Sequence, residues 1–477
     1  MDEPITAVAS PPAAPPLVAA LLGLLLAHRV TFKQERPYQR CVALVFASLF
    51  AFARHTVTQF LTALGLGAAD WSAWYRLFSA PRLDYEALSG QFLRETLAHI
   101  PVAAPFVAAV DGVQLPRHSR TMPGTGWLKA PRSPAWKPGL HRAQRYLHLA
   151  ALLPRSAEGY SRALPLRWEA AFPEKAVPGR TPPRKEWEAA LVAIRWLRAG
   201  LDAAGRRAQR LLVLGDGAYD VAALWAGLPG GVALLARCAK NRALYRLPGP
   251  QRRRGAPRKY GERAPAPPAW LAERAGWRGA TVMVRGRAVA LRFRVEGPFV
   301  VKGAANRPLF LLAVPGVARH RRRVRRDPSY YLVAAARDRT GWVLPLPAEE
   351  LLAWAWQRWE VEVAHRELKA GFGLGEMQGW NPTATEVAAQ WQAWAYGVLV
   401  LAGVRAWGLT ASPIRPPGRW WRGAGRWSLG TLWRGYRQEL WGTADFRPLY
   451  TGTGAEWAEK AAWLGGLQNA VAGSLRT

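Results

Sequence analysis

The chain has 477 residues, half of them hydrophobic, which is enough to bury a core and to build two to four domains. Its 66 Lys+Arg against 32 Asp+Glu leave a formal net charge of +34. That excess points to a polyanion, and to nucleic acid before a membrane, because a membrane binder concentrates its charge in one short amphipathic segment. Only Cys41 and Cys238 are present, which excludes a disulfide framework and a Cys-x-x-Cys metal cluster and suits a reducing cytoplasm.

Residues 1–15, rich in Pro and Ala, read as a disordered tail. The apolar run Leu17–Ala27 is too short to cross a bilayer. Asp2 and Glu3 stand where a signal peptide needs basic residues, so the run is expected to be a buried helix. The pattern stays helical over 16–100. Within it, Val57–Leu64 and a second helix capped by Asp70 flank Gly65 and Gly67. This suits a helix-turn-helix DNA-binding region, although such helix pairs are more often plain packing units.

From residue 101 to 225 the pattern turns α/β. FVAAVDGVQL reads as a buried strand with Asp111 emerging near its end. RYLHLAALLP and RALPLRWEAAF read as strands, and KEWEAALVAIRWLRAGLDAAG as an amphipathic helix stopped at Gly205. RLLVLGDGAYD is a further buried strand with Asp216 at its end. Residues 226–345 read as a mostly β insertion, whose strands are separated by the basic stretches RRRGAPRKYGER and ARHRRRVRRDP. Residues 346–409 are helical again. A tail, 410–477, mixes Pro, Gly, Trp and Arg, as in PGRWWRGAGRW, a mixture that suits protein contact or DNA. The fold expected is α/β: a catalytic domain in two segments, interrupted by the insertion, with a helical N-terminal region and a helical C-terminal part.

The stretch RWEVEVAHRELK, from Arg358 to Lys369, gathers charge on one helical face. At about 100° per residue, Glu362 lies about 40° from Arg358, and Lys369 and His365 lie about 20° to either side of it. Trp359, Val363 and Leu368 point elsewhere and are expected to pack the helix down. An ordinary surface helix with i,i+4 pairs has the same look. Asp111 and Asp216, each following an apolar run, change the reading. Two strand carboxylates and one helix carboxylate form a set that can hold two divalent cations, Mg²⁺ or Mn²⁺, for phosphoryl transfer. Arg358 and Lys369 would then grip phosphates. Asp220, four residues past Asp216, is expected to cap the helix YDVAALWAGL. Glu360 and Glu367 face away and are expected in solvent. His365 is expected behind the site or facing DNA, and His118 and His148 are expected in structural roles. Trp342, before the last helices, could stack on an unpaired base.

These motifs resemble those of the DDE transposases of bacterial insertion sequences, in the branch whose RNase H-like catalytic domain carries a β-rich insertion. That branch's last catalytic helix bears Tyr-x2-Arg-x3-Glu-x6-Lys. Arg358, Glu362 and Lys369 match its last three members, whereas Ala355 stands in the Tyr position, flanked by Trp354 and Trp356. AAVDGVQL and GDGAYD resemble the branch's two Asp motifs. The likeness runs over roughly residues 35–400. It implies Asp111, Asp216 and Glu362 as catalytic metal ligands, with Arg237, Lys240 and Arg242 near terminal DNA. It also implies double-stranded DNA as partner, at least a dimer on that DNA, and no membrane. A nuclease of the same fold that cuts without joining and an inactive, DNA-binding descendant are the two alternatives.

Overall fold

The computed structural model describes residues 16–51, 53–131, 133–134, 136–249, 256–318, 325–410 and 426–441. The expected N-terminal tail, parts of both basic stretches and most of the C-terminal tail lie outside these.

Five helices come first: α1 (Pro16–Ala27), α2 (Glu35–Phe50), α3 (Val57–Ala63), α4 (Ser72–Ser79) and α5 (Tyr85–Leu97). The apolar run is the buried helix α1, with Leu17, Leu21 and Leu24 wholly inside. Thr56 caps α3, its hydroxyl accepting from Gln59 N at 3.3 Å. Asp70 accepts from Ser72 N at 2.8 Å, but the cap position of α4 is Trp71, one residue later than expected. Phe60 and Phe78, from α3 and α4, both meet Trp391, so this pair packs inward on the core.

The sheet follows: β1 (Phe106–Pro116), β2 (Gly126–Lys129), β3 (Leu140–Leu152), β4 (Ala163–Ala170), helix α6 (Glu186–Ala203), β5 (Leu211–Gly215), helix α7 (Ala222–Gly227), β6 (Val232–Arg237), β7 (Tyr245–Arg246), β8 (Arg278–Val284), β9 (Arg287–Val301) and β10 (Ala304–Val314). With the Ser329–Ala334 strand they form one eleven-stranded sheet in the order β2-β3-β1-β5-β6-(Ser329–Ala334)-β10-β9-β7, β4 pairing with β3 and β8 with β9. β6 to β10 and the Ser329–Ala334 strand, all within residues 226–345, therefore continue the same sheet, while Val317–Ala318 with Arg325–Arg326 and Ala336–Asp338 with Gly341–Val343 form two separate two-stranded sheets. β1, β5 and β6 are mutually parallel at its centre. Strands buried on both faces need no alternation, which is why VAAV, LLVL and LLA read as unbroken apolar runs.

One strand reading is corrected. Asp111 does not end its strand: β1 outruns the parallel β5 and continues beside antiparallel β3 as far as Pro116. The stretch ATVMVRGRAVALRFRV is a hairpin, β8–β9, turning at Arg285 (φ 51°) and Gly286 (φ 76°). Two consecutive positive φ angles match the right-handed twist of a two-residue hairpin.

Among the described residues four α-helices follow: α8 (Ala348–Gln357), α9 (Trp359–Arg366), α10 (Pro382–Trp407) and α11 (Leu429–Trp441). Arg358, between α8 and α9, keeps helical angles (φ −50°, ψ −31°), so the two share an axis over that joint. Asn381 caps α10, accepting from Thr383 N and Ala384 N, with Pro382 at the first turn. Among the described residues α10 is the one helix long and apolar enough to cross a membrane, and 94% of that window is buried inside the protein. It is the core helix, touched by α1, α4, α5 and β4. Its fit to β4 and α5 depends on Gly397, where a Cβ would lie 2.8 Å from the Phe92 ring and 3.3 Å from Pro165. Gly397→Ala is expected to cost about 1–3 kcal/mol by overpacking, despite the better helix propensity of Ala. Urea unfolding checks this, and an unchanged or raised midpoint would contradict it.

Candidate active site

Strand register builds the site. β1 pairs with β5 through Ala109↔Leu214, and β5 with β6 through Gly215↔Ala236. Carried two residues and one residue further, the same register sets Asp111, Asp216 and Arg237 side by side. On the antiparallel side, Asp111 pairs with His148, and His148 with Trp168. Beyond Arg237 comes Tyr331. Registered partners project to the same face of a sheet. One row across that face thus runs Trp168, His148, Asp111, Asp216, Arg237, Tyr331.

α9 lies over this row. Arg358 Nη2 donates to Glu362 Oε1 at 2.6 Å, and Nη1 stands 3.8 Å from Asp111 Oδ2. One guanidinium therefore bridges a sheet carboxylate and a helix carboxylate. His365 Nδ1 lies 3.7 Å from Asp111 Oδ2, and its Nε2 is 2.8 Å from His148 Nδ1. The His148 ring stacks on Trp168 at 5.1 Å. Burial lowers His148 well below the ordinary imidazole range, and burial, then Lys369 and Arg358, lower His365 to about 3. Both rings are neutral at pH 7. When His148 Nδ1–H donates to His365, the second ring presents its own N–H toward Asp111.

Asp111 carries the electrostatic signature of the site. Burial raises its pKa; Arg358 opposes this, while Asp216, Glu362 and Glu186 reinforce it, and the result is about 7. Three predicted carboxylates thus share one field. Among the described residues no three His, Cys, Asp or Glu are close enough together to hold a metal ion as they stand, Arg358 occupying the span between Asp111 and Glu362. The donors are hard oxygens, and their mutual repulsion is what a divalent cation relieves, so their chemistry fits Mg²⁺ or Mn²⁺.

A cavity of about 900 Å³ opens beside Asp216, with Arg237, Lys240, Tyr331, Ala355 and Arg358 among its walls. Arg237 and Lys240 are therefore at the site. The small Ala355 faces the same space. Lys369 is exposed and close enough to His365 to depress its pKa. It lies in a π-helical turn, Glu367–Gly371, that follows α9. Uniform helical spacing does not hold through that turn.

Several expectations are overturned. Asp220 does not cap α7, whose cap residue is Val221. It accepts from Trp225 Nε1 at 2.9 Å and pairs with Arg242 at 3.0 Å. Asp216 caps the short 3-10 turn Gly217–Tyr219 that precedes α7, accepting from Ala218 N at 2.8 Å. Glu360 and Glu367 face away from the row as expected but are not solvated. Glu360 is 3% exposed between Arg285 and Arg426, and Glu367 pairs with Arg162 at 3.0 Å and accepts from Tyr396. Trp359 does not pack the helix down; it is 48% exposed, while Val363 and Leu368 are buried. His148 is wholly buried, and His118 is exposed. Trp342 lies with Arg210 and Leu211, at the start of β5 rather than at the Asp216 end. Trp427, from the Trp/Arg-rich segment, is buried, and Arg426 beside it reaches Glu360.

Glu186 went unrecognised in the sequence. It begins α6 beneath β1, where a Cβ on Gly112 would lie 2.6 Å from its carboxylate. It accepts from Tyr219 OH at 2.8 Å. Its one local signal is Gly112 itself, directly after Asp111. The close approach needs a residue with no side chain there.

A family described as "DDE superfamily endonuclease" matches residues 30–298. That span includes Asp111 and Asp216 and stops before Glu362. No curated protein matches the chain. Since the match covers more than half of the sequence and contains the two sheet carboxylates at the site, the chain belongs to the DDE superfamily endonucleases.

Proposed function

We propose that the protein is a metal-dependent DNA transposase, which cuts and joins the ends of a mobile element. The observation that carries this reading is the register that sets Asp111 beside Asp216 under a helix bearing Arg358 and Glu362. The strand order β4-β3-β1-β5-β6, three antiparallel strands then two parallel ones, supports an RNase H-like catalytic domain. Asp111, Asp216 and Glu362 would hold two Mg²⁺ or Mn²⁺ ions. Such ions, when bound, activate an attacking hydroxyl and stabilise the leaving oxygen.

The chain's own residues do the rest. His365, backed by His148, orients Asp111. Arg358 would exchange its carboxylate partners for a phosphate, a better bidentate acceptor once those carboxylates face cations. Arg237, Lys240 and Lys369 line the approach as further phosphate contacts. The helical region 16–100 would recognise double-stranded element ends, and a homodimer on DNA would pair two of them. The buried α10 gives no reason to invoke a membrane, and a cytoplasmic location fits. The family's description as an endonuclease favours, as the second reading, a nuclease that cuts without joining.

A labelled duplex carrying the element's ends, incubated with Mg²⁺, separates these. Wild type is expected to give cleaved and joined products, and Glu362→Gln neither, with DNA binding retained. Cleavage without joining supports the nuclease. Equal activity in both proteins removes Glu362 from the site.

A further inference from the structure

A second cavity, of about 350 Å³, lies at the other end of the parallel strands. Arg210, Arg307, Arg337, Trp342 and Pro345 are among its lining residues. Arg210 directly precedes β5 and Asp216 directly follows it, so the two ends are about 20 Å apart at about 3.3 Å per residue. This hollow is not part of the carboxylate site.

Among the described residues the partners of its three guanidiniums are neutral. Arg210 donates to Pro345 O, Arg307 to Leu228 O, and Arg337 lies over the Trp342 ring at 5.4 Å. Among the described residues no carboxylate lines the cavity. The Arg307 Nε is buried without a hydrogen-bond partner, and burial holds that guanidinium below its usual pKa. A buried, unmet donor calls for an acceptor, and three like charges around one hollow call for an anion. Stacking uses the face of Arg337 and leaves its edge free to donate. Next to this cavity, and sharing Arg210, Pro345 and Leu346 with it, is an open depression of about 620 Å³ whose walls include Arg278, Phe310 and Val343. A phosphate held by the arginines would have room there for an attached sugar or base against apolar wall.

We propose that this cavity binds a phosphate group through Arg210, Arg307 and Arg337. The phosphate belongs either to a nucleic-acid backbone or to a free nucleotide, and the site stands whether or not the carboxylate centre cuts DNA. The planar fork of each guanidinium suits phosphoryl oxygens.

The test uses the full chain, with Arg307→Met and the exposed Arg337→Gln as separate variants, so that a folding defect in one does not decide the matter. Deoxyadenosine 5′-monophosphate, inorganic phosphate and unphosphorylated deoxyadenosine are titrated by calorimetry. A 20-bp duplex is titrated by fluorescence anisotropy over a range of salt. If the source is a free nucleotide, the monophosphate binds one per chain, deoxyadenosine does not, and each variant weakens binding at least tenfold. If it is backbone, each variant lowers the slope of log K against log salt by about one. Unchanged phosphate binding and an unchanged salt slope in both variants would overturn the proposal.

Discussion

Asp111→Asn is expected to do two opposite things: abolish metal-dependent strand cleavage and make the metal-free protein more stable at pH 8. Both follow from the same crowding of charge. In the folded chain Asp111 is buried near Asp216, Glu362 and Glu186, and its pKa is raised to about 7 from 3.8. A carboxyl whose folded pKa exceeds its unfolded value binds more protons when folded. Its stabilising contribution is complete below about pH 4 and is lost as pH rises through 7. At pH 8 the wild type must hold the ionised group in a hostile field, and Asn need not. The stability advantage of Asp111→Asn is therefore near zero at pH 4, grows up to pH 7 and levels off. At about 1.4 kcal/mol per pKa unit, the rise from 3.8 to about 7 makes it on the order of 4 kcal/mol.

The second half of the experiment adds Mg²⁺. A ligand that binds only the folded state raises stability by mass action. Wild type is expected to gain in unfolding midpoint with Mg²⁺, and Asp111→Asn to gain little. Cleavage is expected to fall by about three orders of magnitude or more, as for loss of a group that stabilises transition-state charge. Urea unfolding at pH 4, 6 and 8, with chelator and with Mg²⁺, measures all of this. A variant less stable than wild type at pH 8 without metal would show that Asp111 is structural, and the carboxylate reading would fail with it.

How much of this was legible beforehand differs by residue. Asp111 and Asp216 stand out because an acid after a buried apolar run is unusual, and a one-dimensional pattern carries that. Their alignment is not in either run. It comes from the pairing register of β1 with β5, whose residues are about a hundred positions apart. Arg358 and Glu362 were readable from helical spacing, and their 2.6 Å contact is the i,i+4 pair that spacing predicts. Glu360 and Glu367 failed for the same reason that Glu362 succeeded. Helical periodicity says which residues share a face but not what covers the opposite one. Here that face meets Arg162, Arg285 and Arg426, brought from the start of β4, the β8–β9 turn and the C-terminal segment. Lys369 was placed by assuming 100° per residue, and the π-turn breaks that spacing.

Arg162→Leu is expected to cost about 3–5 kcal/mol, the largest stability loss of any single substitution considered for this protein, and to reduce cleavage without touching a carboxylate. Arg162 sits just before β4, 3% exposed, and donates to Glu367 at 3.0 Å and to Trp427 O at 3.0 Å while stacking on the Trp427 ring at 3.9 Å. Replacement leaves the Glu367 carboxylate, 13% exposed, with Tyr396 OH as its donor among the described residues. Stranding a charge is what makes breaking such a pair expensive; removing both partners costs far less. Arg162→Leu with Glu367→Leu should therefore recover part of the stability. The functional consequence follows from position. Glu367 begins the π-turn directly after α9, so the Arg162 bridge ties the end of the helix carrying Glu362 to the sheet strand next to β3. A looser tie lets Glu362 drift from Asp111, and a displacement of about 1 Å can cost about a hundredfold in rate. Unfolding free energies and single-turnover cleavage rates of the two single variants and the double variant complete the cycle. An Arg162→Leu loss below about 1 kcal/mol, or a double variant as unstable as the sum of its parts, would mean that the bridge does not hold the helix.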